Sequence, residues 1–526
     1  MERALRAFVG VVGERWVLQD ETDRDAYLDL YAPGDAALHA AAAAVAPANV
    51  EEVQAVVRLA NEYRVPLWPV SRGKNLGYGG AAPRVPGSVV LDLGRLNRIL
   101  EVDPELGYCL LEPGVGFFDL YRHLDEHDIP LWMSVPGNAW GSVVGNALDR
   151  GIGHTAFGDH AARICGLEVV LPEGELLRTG MGGVAGSPNW NLFKHGFGPS
   201  WDAAFVQSNF GVVTKLGLWL APAPQALTNL RLPLPNAEDI GWVVDVLRDL
   251  KLRGVVNQML SVSSYIGAAT MRSQRHEWQD DPAPLSAAAI AKIRRTFDVG
   301  WWNFTVQLSG HPEVNDIHAR LVREAFASRT DATFRETRWE RGQPREKSGV
   351  GIPSVLALQM GNWHGGRGAH LGFSPVLPPT GRHALEQFQR TRARYEEYGS
   401  DYFGTFYLGD RHMLNVNMLM FDRDDAAMVR RTTGLFEVLI RDAAEKGYAE
   451  YRTHLDYMDA VADSFDFNHH AARRFNERVK DAIDPNGILA PGKSGIWPRR
   501  FREAGFGTAA SRQENARQPK PPQEKP

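Results

Sequence analysis

Apolar residues recur every three or four positions over residues 47–64, a spacing that predicts an amphipathic helix. Asn49 can cap its first turn, with Glu52 three residues on. Short apolar runs bounded by glycine-dense turns predict strands after this helix. The predicted strands are 65–70, 88–93, 108–112 and 211–220, with a hairpin over 166–177. The first 220 or so residues therefore have the pattern of a mixed α+β unit.

Residues 225–465 show longer helical repeats and fewer glycine clusters. Apolar positions 240, 243, 244 and 247 predict a helix, and 285–297 and 382–397 predict two more. Apolar runs at 301–308 and 355–360 predict strands between them. This pattern indicates a second α+β domain. Another helix is expected over 470–483, followed by a Gly/Pro-rich loop over 484–497.

Composition excludes several classes of protein. Of 526 residues, 44% are hydrophobic and 23% are charged, which is ordinary for a globular protein, and the net charge of −5 argues against nucleic-acid binding. The longest run of small apolar residues, 36–46, has 11 residues, whereas a bilayer span needs about 20. No signal peptide is recognisable at the start of the chain. We therefore expect a soluble, cytoplasmic protein that binds neither nucleic acid nor membrane.

The chain has only two cysteines, Cys109 and Cys165, and they are far apart. They cannot form a disulfide framework, and no C-x-x-C or H-x-x-x-H pair flanks either one. We predict buried structural thiols and no metal site.

Residues 487–494 match the P-loop expression letter for letter. A P-loop cradles phosphate with successive backbone N–H groups between a strand and a helix, but Pro491 lacks one of these donors and a helix is expected before the loop. A nucleotide phosphate site is therefore disfavoured here. The Rossmann fingerprint is also missing, because neither 141–146 nor 151–154 completes G-x-G-x-x-G. The many glycine clusters then mark either tight turns of a β-rich domain or loops that converge on a large polar ligand.

Several of these segments together resemble the vanillyl-alcohol oxidase/para-cresol methylhydroxylase flavoprotein family. They are residues 69–84, 112–115, 141–146, 158–160, 208–214, 450–454 and 484–497. The resemblance extends from about residue 45 to 500 and is strongest with the vanillyl-alcohol oxidase and eugenol oxidase branch. It implies an α+β, two-domain FAD-binding fold (PCMH-type) with an α+β cap domain. The expected divisions are 1–222 for the FAD domain, 223–480 for the cap, 481–507 for a return to the FAD domain, and 508–526 for a disordered tail.

The resemblance also implies FAD and the residues that hold it. Residues 368–375 resemble the family's flavinylation segment, so His370 is expected to carry a covalent 8α-histidyl bond to the flavin. A neutral imidazole is a competent nucleophile for such a bond. The other expected cofactor residues are Ser71, Gly73, Lys74, Asn75, Gly77, Pro113, Gly114, Ser142, Asn146, Gly153, Gly158, Asn209, Gly211, Val212, Val213 and Lys493.

By the same resemblance, Tyr78, Tyr451 and Arg452 surround a phenolic oxygen. A guanidinium and two hydroxyl donors in a dry site stabilise an oxyanion strongly. The implied activity is that of a flavin-dependent oxidase of para-substituted phenols, with O₂ as acceptor and a homodimer as the expected assembly. Two alternatives stay open: a 4-alkylphenol dehydrogenase or hydroxylase with a cytochrome or quinone acceptor, and a catalytically silent flavin-binding protein.

The chain departs from the family pattern on the substrate side. Gly137 stands where the family has an aspartate, and His154 stands where tyrosine is common. Asn138 or His154 could partly replace the missing carboxylate, with His154 as a candidate acid/base, and the alternative for His154 is a structural role. Small residues over 261–269 predict a roomy pocket for a larger phenol, lignin-derived compounds among them, with Thr405 and Tyr407 lining the same region.

Overall fold

The computed structural model describes residues 1–348 and 350–507, so the expected tail over 508–526 lies outside the described residues. The strands are β1 (Val17–Leu18), β2 (Ala43–Val45), β3 (Leu67–Val70), β4 (Val89–Asp92), β5 (Ile99–Asp103), β6 (Tyr108–Leu111), β7 (Leu131–Trp132), β8 (Ile164–Val170), β9 (Leu176–Arg178), β10 (Val212–Trp219), β11 (Ala221–Pro222), β12 (Ala226–Leu234), β13 (Leu260–Ser264), β14 (Trp302–Gly310), β15 (Arg335–Glu340), β16 (Gly368–Phe373), β17 (Val376–Leu377), β18 (Gly404–Leu408) and β19 (Met413–Asp422).

The helices are α1 (Glu2–Val12), α2 (Glu21–Asp25), α3 (Val50–Tyr63), α4 (Phe117–Glu126), α5 (Val143–Leu148), α6 (Asp239–Leu252), α7 (Ile266–Thr270), α8 (Ala287–Phe297), α9 (Pro312–Ala327), α10 (Gly381–Glu397), α11 (Ala426–Ala444), α12 (Met458–Asp463), α13 (Phe467–Ile483) and α14 (Arg499–Glu503). Within the described ranges, none of these helices combines the length and the apolar character needed to cross a bilayer.

Two larger sheets and the short two-stranded pair β7–β11 form the first half of the chain. One has the order β1-β2-β4-β3, with β2, β4 and β3 parallel, and the other is an antiparallel sheet of order β5-β6-β10-β8-β9. Helix α3 lies between them, because its buried Val53, Val56 and Val57 share one core with strand residues of both sheets. Asn49 caps α3 by accepting a hydrogen bond from the Glu52 backbone N–H at 2.8 Å, as predicted.

The third sheet is antiparallel, with the order β15-β12-β14-β13-β18-β19-β16. Its apolar face is buried under α6, α9, α10 and α11, and Phe304, Phe373 and Phe406 belong to that core. Side chains alternate between the two faces of a strand, so Ser263 and Thr405 lie on the opposite face. This second face, here called the polar face, lines a cavity.

The end of the chain pairs with its beginning. The Leu67 backbone N–H donates to the carbonyl of Ile488 at 2.7 Å, and the Ala490 N–H donates back to Leu67 at 2.8 Å. Residues 488–490 thus extend the edge of the first sheet beside β3. The buried ammonium of Lys480 fixes this segment from α13 by donating to the carbonyl of Leu489 at 2.8 Å.

The predicted elements are mostly confirmed, including the helix ahead of residues 487–494 that argues against a P-loop. The strand predicted over 355–360 is wrong, because the chain there forms a 3₁₀ helix, Leu356–His364. A short apolar run does not distinguish a strand from a helix, and Leu356 is half exposed instead of packed in a sheet. The α+β class is confirmed.

Candidate active site

A cavity of about 740 Å³ lies between the polar face of the third sheet and the glycine-rich loops of the first half. Seventeen of the predicted site residues line it: Ser71, Gly73, Lys74, Asn75, Tyr78, Pro113, Ser142, Asn146, His154, Asn209, Gly211, Val212, Val213, His370, Tyr451, Arg452 and Lys493. Residues far apart in the chain therefore converge on one site.

The other four predicted residues are not among those that line the cavity: Gly77, Gly114, Gly153 and Gly158. Gly77 has a φ of +79°, and a Cβ there would stand 2.6 Å from the His370 Cε1 atom. A Cβ on any of the other three would stand 2.5 Å or less from a neighbouring atom. These glycines let the loops approach each other closely.

His370 lies on β16 and is buried. Its Nδ1 atom has no hydrogen-bond partner among the described residues, and the Tyr31 ring contacts it edge-on at 5.0 Å between centroids. Burial lowers the pKa of His370 to about 4, so the imidazole is neutral at physiological pH. A neutral ring with an unpartnered nitrogen has the state that a flavin-binding nucleophile requires.

The cofactor end of the cavity is built by the loop after β3 and the start of α5. Ser142 Oγ caps α5 by accepting from the Gly145 N–H at 2.8 Å, and it donates to Ser71 Oγ at 2.7 Å. Ser208 Oγ and Asn209 Oδ1 are buried, line the same cavity, and have no hydrogen-bond partner in the described part of the chain. Buried polar atoms are normally paired, so these residues fit a large polar ligand such as FAD.

Asp149 forms ion pairs with two cations, Arg452 and Lys493, beside the cofactor end of the cavity. Its carboxylate lies 3.0 Å from Arg452 Nε and accepts from Lys493 Nζ at 3.1 Å and from Asn75 Nδ2 at 3.0 Å. Burial alone would raise the pKa of Asp149, but Lys493 and Arg452 lower it below its ordinary value. The carboxylate is therefore ionised and holds the Arg452 guanidinium in place.

The guanidinium stacks on an aromatic wall. Arg452 Cζ lies 4.0 Å from the centroid of the Tyr78 ring. Burial raises the pKa of Tyr78, and Arg452 only partly offsets this increase. Burial and the proximity of Tyr78 likewise raise the pKa of Tyr451. The same two causes raise the pKa of Tyr407 to about 12. The three tyrosines are therefore neutral hydroxyl donors at physiological pH, grouped around one cation.

His154 stands on the side of the cavity nearest Tyr407, with 5.8 Å between the ring centroids. Burial lowers the pKa of His154, so the ring is uncharged at neutral pH and can accept a proton. Gly137 lines the same cavity, and a Cβ added there would meet no atom within 4 Å. A side chain at position 137 would therefore have room inside the cavity.

Two buried acids of the site were not predicted. Asp149 lies at the end of α5, and its only signal in the sequence is its place in the glycine-rich segment. Glu450 precedes Tyr451 and accepts from the Ser374 backbone N–H at 3.1 Å. Burial raises the pKa of Glu450 well above its ordinary value, which favours the protonated carboxyl.

Comparisons with known proteins agree with this geometry. The family model described as "FAD binding domain" matches residues 41–180, and "FAD linked oxidases, C-terminal domain" matches residues 368–494. The 4-cresol dehydrogenase [hydroxylating] flavoprotein subunit of Pseudomonas putida is 35% identical over 94% of this chain and 95% of its own length.

Two solved structures share the fold. The 4-ethylphenol oxidase of Gulosibacter chungangensis, in an isoeugenol complex, superposes with a TM-score of 0.90 at 34% identity, over 95% of this chain and 98% of that one. A p-cresol methylhydroxylase with substrate bound gives a TM-score of 0.89 at 33% identity, over 94% and 97%. The predicted PCMH-type two-domain fold is confirmed. The chain is an FAD-linked oxidoreductase and belongs to the vanillyl-alcohol oxidase/para-cresol methylhydroxylase family.

Proposed function

We propose that the protein is an FAD-dependent oxidase of para-substituted phenols, with FAD attached covalently through His370. The observation that carries this proposal is the buried Arg452 guanidinium, stacked 4.0 Å from the Tyr78 ring and surrounded by neutral tyrosines in the cavity that His370 lines. A cation with hydroxyl donors in a dry site favours an anionic oxygen. The similarity to 4-cresol dehydrogenase and 4-ethylphenol oxidase supports a phenolic substrate.

Each residue of the site has a distinct role in this reaction. Arg452, Tyr78 and Tyr451 hold the substrate as a phenolate, and Asp149 keeps Arg452 oriented. The chemistry that FAD supplies when bound is hydride acceptance from the α-carbon of the para substituent, which turns the phenolate into a quinone methide, with O₂ reduced to H₂O₂ afterwards. His154 accepts or returns the proton when the quinone methide is converted to product.

Anaerobic mixing of the holoenzyme with 4-ethylphenol tests the proposal. We expect the flavin absorbance to bleach, and admission of air to restore it with one H₂O₂ formed per substrate. Tyr78→Phe should slow bleaching by about 10-fold or more, since it removes a donor to the oxyanion. Tyr63→Phe, on an exposed tyrosine of α3, is the matched control and should leave the rate unchanged. A flavin that no phenol bleaches would refute the proposal.

The same experiment identifies the electron acceptor. The chain is 34% identical to 4-ethylphenol oxidase and 35% identical to 4-cresol dehydrogenase [hydroxylating], so the rate of recovery in air distinguishes O₂ from another acceptor. Bleaching by phenol followed by slow recovery in air, with fast recovery on adding a cytochrome or quinone, would assign the dehydrogenase alternative instead.

A further inference from the structure

The polar face of the third sheet ends in unpaired positive charge. Directly opposed residues of antiparallel strands lie on the same face, and Arg231 opposes Thr305 while Asn303 opposes Ser263. Ser263 in turn opposes Thr405 on β18. Arg231 therefore shares the cavity face with Thr405 and lies three strand spacings away, which is about 14 Å at 4.8 Å per strand.

A second arginine, Arg272, lines the cavity just after α7. Its Nη1 atom lies 3.5 Å from the carbonyl of Ala268, and its guanidinium lies 5.7 Å from the centre of the Phe297 ring. Neither Arg231 nor Arg272 forms an ion pair with a carboxylate within the described ranges. Asp298 interacts electrostatically with Arg231, but both of its carboxylate oxygens already accept hydrogen bonds from the Arg335 guanidinium.

The two arginines are placed for a substrate and not for the cofactor. His370 lies on β16, at the other end of the sheet, and β12 is five strand spacings from it, or about 24 Å. Between them the cavity wall combines apolar residues, such as Met418, with the small or polar Ser263, Gly267 and Asn303. A phenol held at Arg452 would therefore extend its para substituent along this wall toward Arg231 and Arg272.

We propose that this end of the cavity binds a carboxylate at the far end of the para substituent, so that the preferred substrates are 4-hydroxyphenyl alkanoic acids with several atoms between ring and acid. The proposal rests on the proposed function and specifies its substrate class. Arginine suits a carboxylate because its planar fork offers two parallel donors. A neutral tail of the same length would leave both guanidinium groups without an anion.

Turnover by the holoenzyme of three phenols tests the proposal: 4-(4-hydroxyphenyl)butanoate, its methyl ester, and 4-ethylphenol. We expect kcat/KM for the acid to exceed that for the ester by about 10-fold or more, with the excess falling as salt is added. Arg231→Gln and Arg272→Gln should each raise KM for the acid several-fold while changing KM for the ester and 4-ethylphenol less than about 2-fold. Arg231→Lys should retain part of the preference.

Binding supplies a readout that does not depend on turnover. The probe is 4-(4-hydroxyphenoxy)butanoate, whose para atom is oxygen and carries no hydrogen to lose, and its dissociation constant is measured by calorimetry. We expect weaker binding in Arg231→Gln and Arg272→Gln, and unchanged binding in Arg295→Gln, an exposed arginine of α8 outside the cavity.

Equal kinetics for acid and ester in the native enzyme, or equal binding of the probe in all variants, would overturn the anion site. Oxidation of 4-ethylphenol would still support the proposed function in that case. If no phenol were oxidised, the proposed function would fail, and probe binding would still decide whether the arginines hold a carboxylate.

Discussion

Arg452→Gln should raise the pKa of a bound phenol. The substitution removes the one guanidinium that stacks on Tyr78 and leaves a polar side chain that can still bond to Asn75 or Asp149. Asp149 keeps Lys493 as a partner at 3.1 Å, so the variant does not strand that carboxylate without a cation. Folding should therefore survive while the charge next to the substrate oxygen is lost.

The size of the effect follows from the distance of closest approach. A phenolate oxygen about 4 Å from the guanidinium gains about 4 kcal/mol at an effective dielectric constant of about 20. At 1.36 kcal/mol per pKa unit, this corresponds to about 3 units. A bound phenol should then ionise about 3 pKa units lower in the native site than in the variant, since burial acts on it equally in both.

The assay is an ultraviolet difference titration of bound 4-methoxyphenol, which has oxygen at the para position and no hydrogen for the flavin to remove. Arg452→Lys keeps the positive charge but loses the planar guanidinium, so the pKa of its bound phenol should lie between that in the native enzyme and that in Arg452→Gln. Flavin absorbance and the melting temperature confirm that each variant is folded and loaded. A bound-phenol pKa in Arg452→Gln within one unit of the native value would refute the reasoning.

Three further predictions concern other parts of the molecule. His370→Ala should release its flavin into the supernatant on acid precipitation, whereas the native pellet should stay yellow. Gly137→Asp should fold normally because a side chain there meets open space, and it should increase the share of hydroxylated product from 4-ethylphenol, measured by chromatography. Burial lowers the pKa of His454, but Asp456 and Asp29 raise it above its ordinary value, so this histidine stabilises the fold below about pH 6.5 and less as pH rises through its folded pKa. The loss of melting temperature in His454→Asn should accordingly be larger at about pH 6 than at about pH 9, and a constant loss would contradict the linkage.

Local chemistry made parts of this fold predictable from the sequence. The capped helix α3 and the strands of the first half depend on short-range patterns, as the Asn49 cap shows. The strand predicted over 355–360 was wrong because packing against neighbouring segments, and not the spacing of its own apolar residues, decides the conformation there. Helices α9 and α11 were not predicted at all.

The residues of the candidate site were likewise predictable only in part. His370, Tyr78 and Arg452 lie in segments whose residues resemble known ones, so they could be named in advance. Asp149 could not, because its importance comes from Lys493 and Arg452, both more than 300 positions away in the sequence. Arg231 was equally hidden, since only strand pairing places it on the face shared with Thr405.

The pairing of residues 488–490 with β3 has a consequence for biosynthesis. Leu489, Ala490 and Lys493 form part of the cavity wall, and the ribosome makes them after every strand of the three sheets. A nascent chain can assemble its early sheets while this wall is still missing. The complete cofactor site therefore forms only once residues 488–493 have joined it, and deletion of this segment would remove part of the cavity wall together with the strand partner of β3.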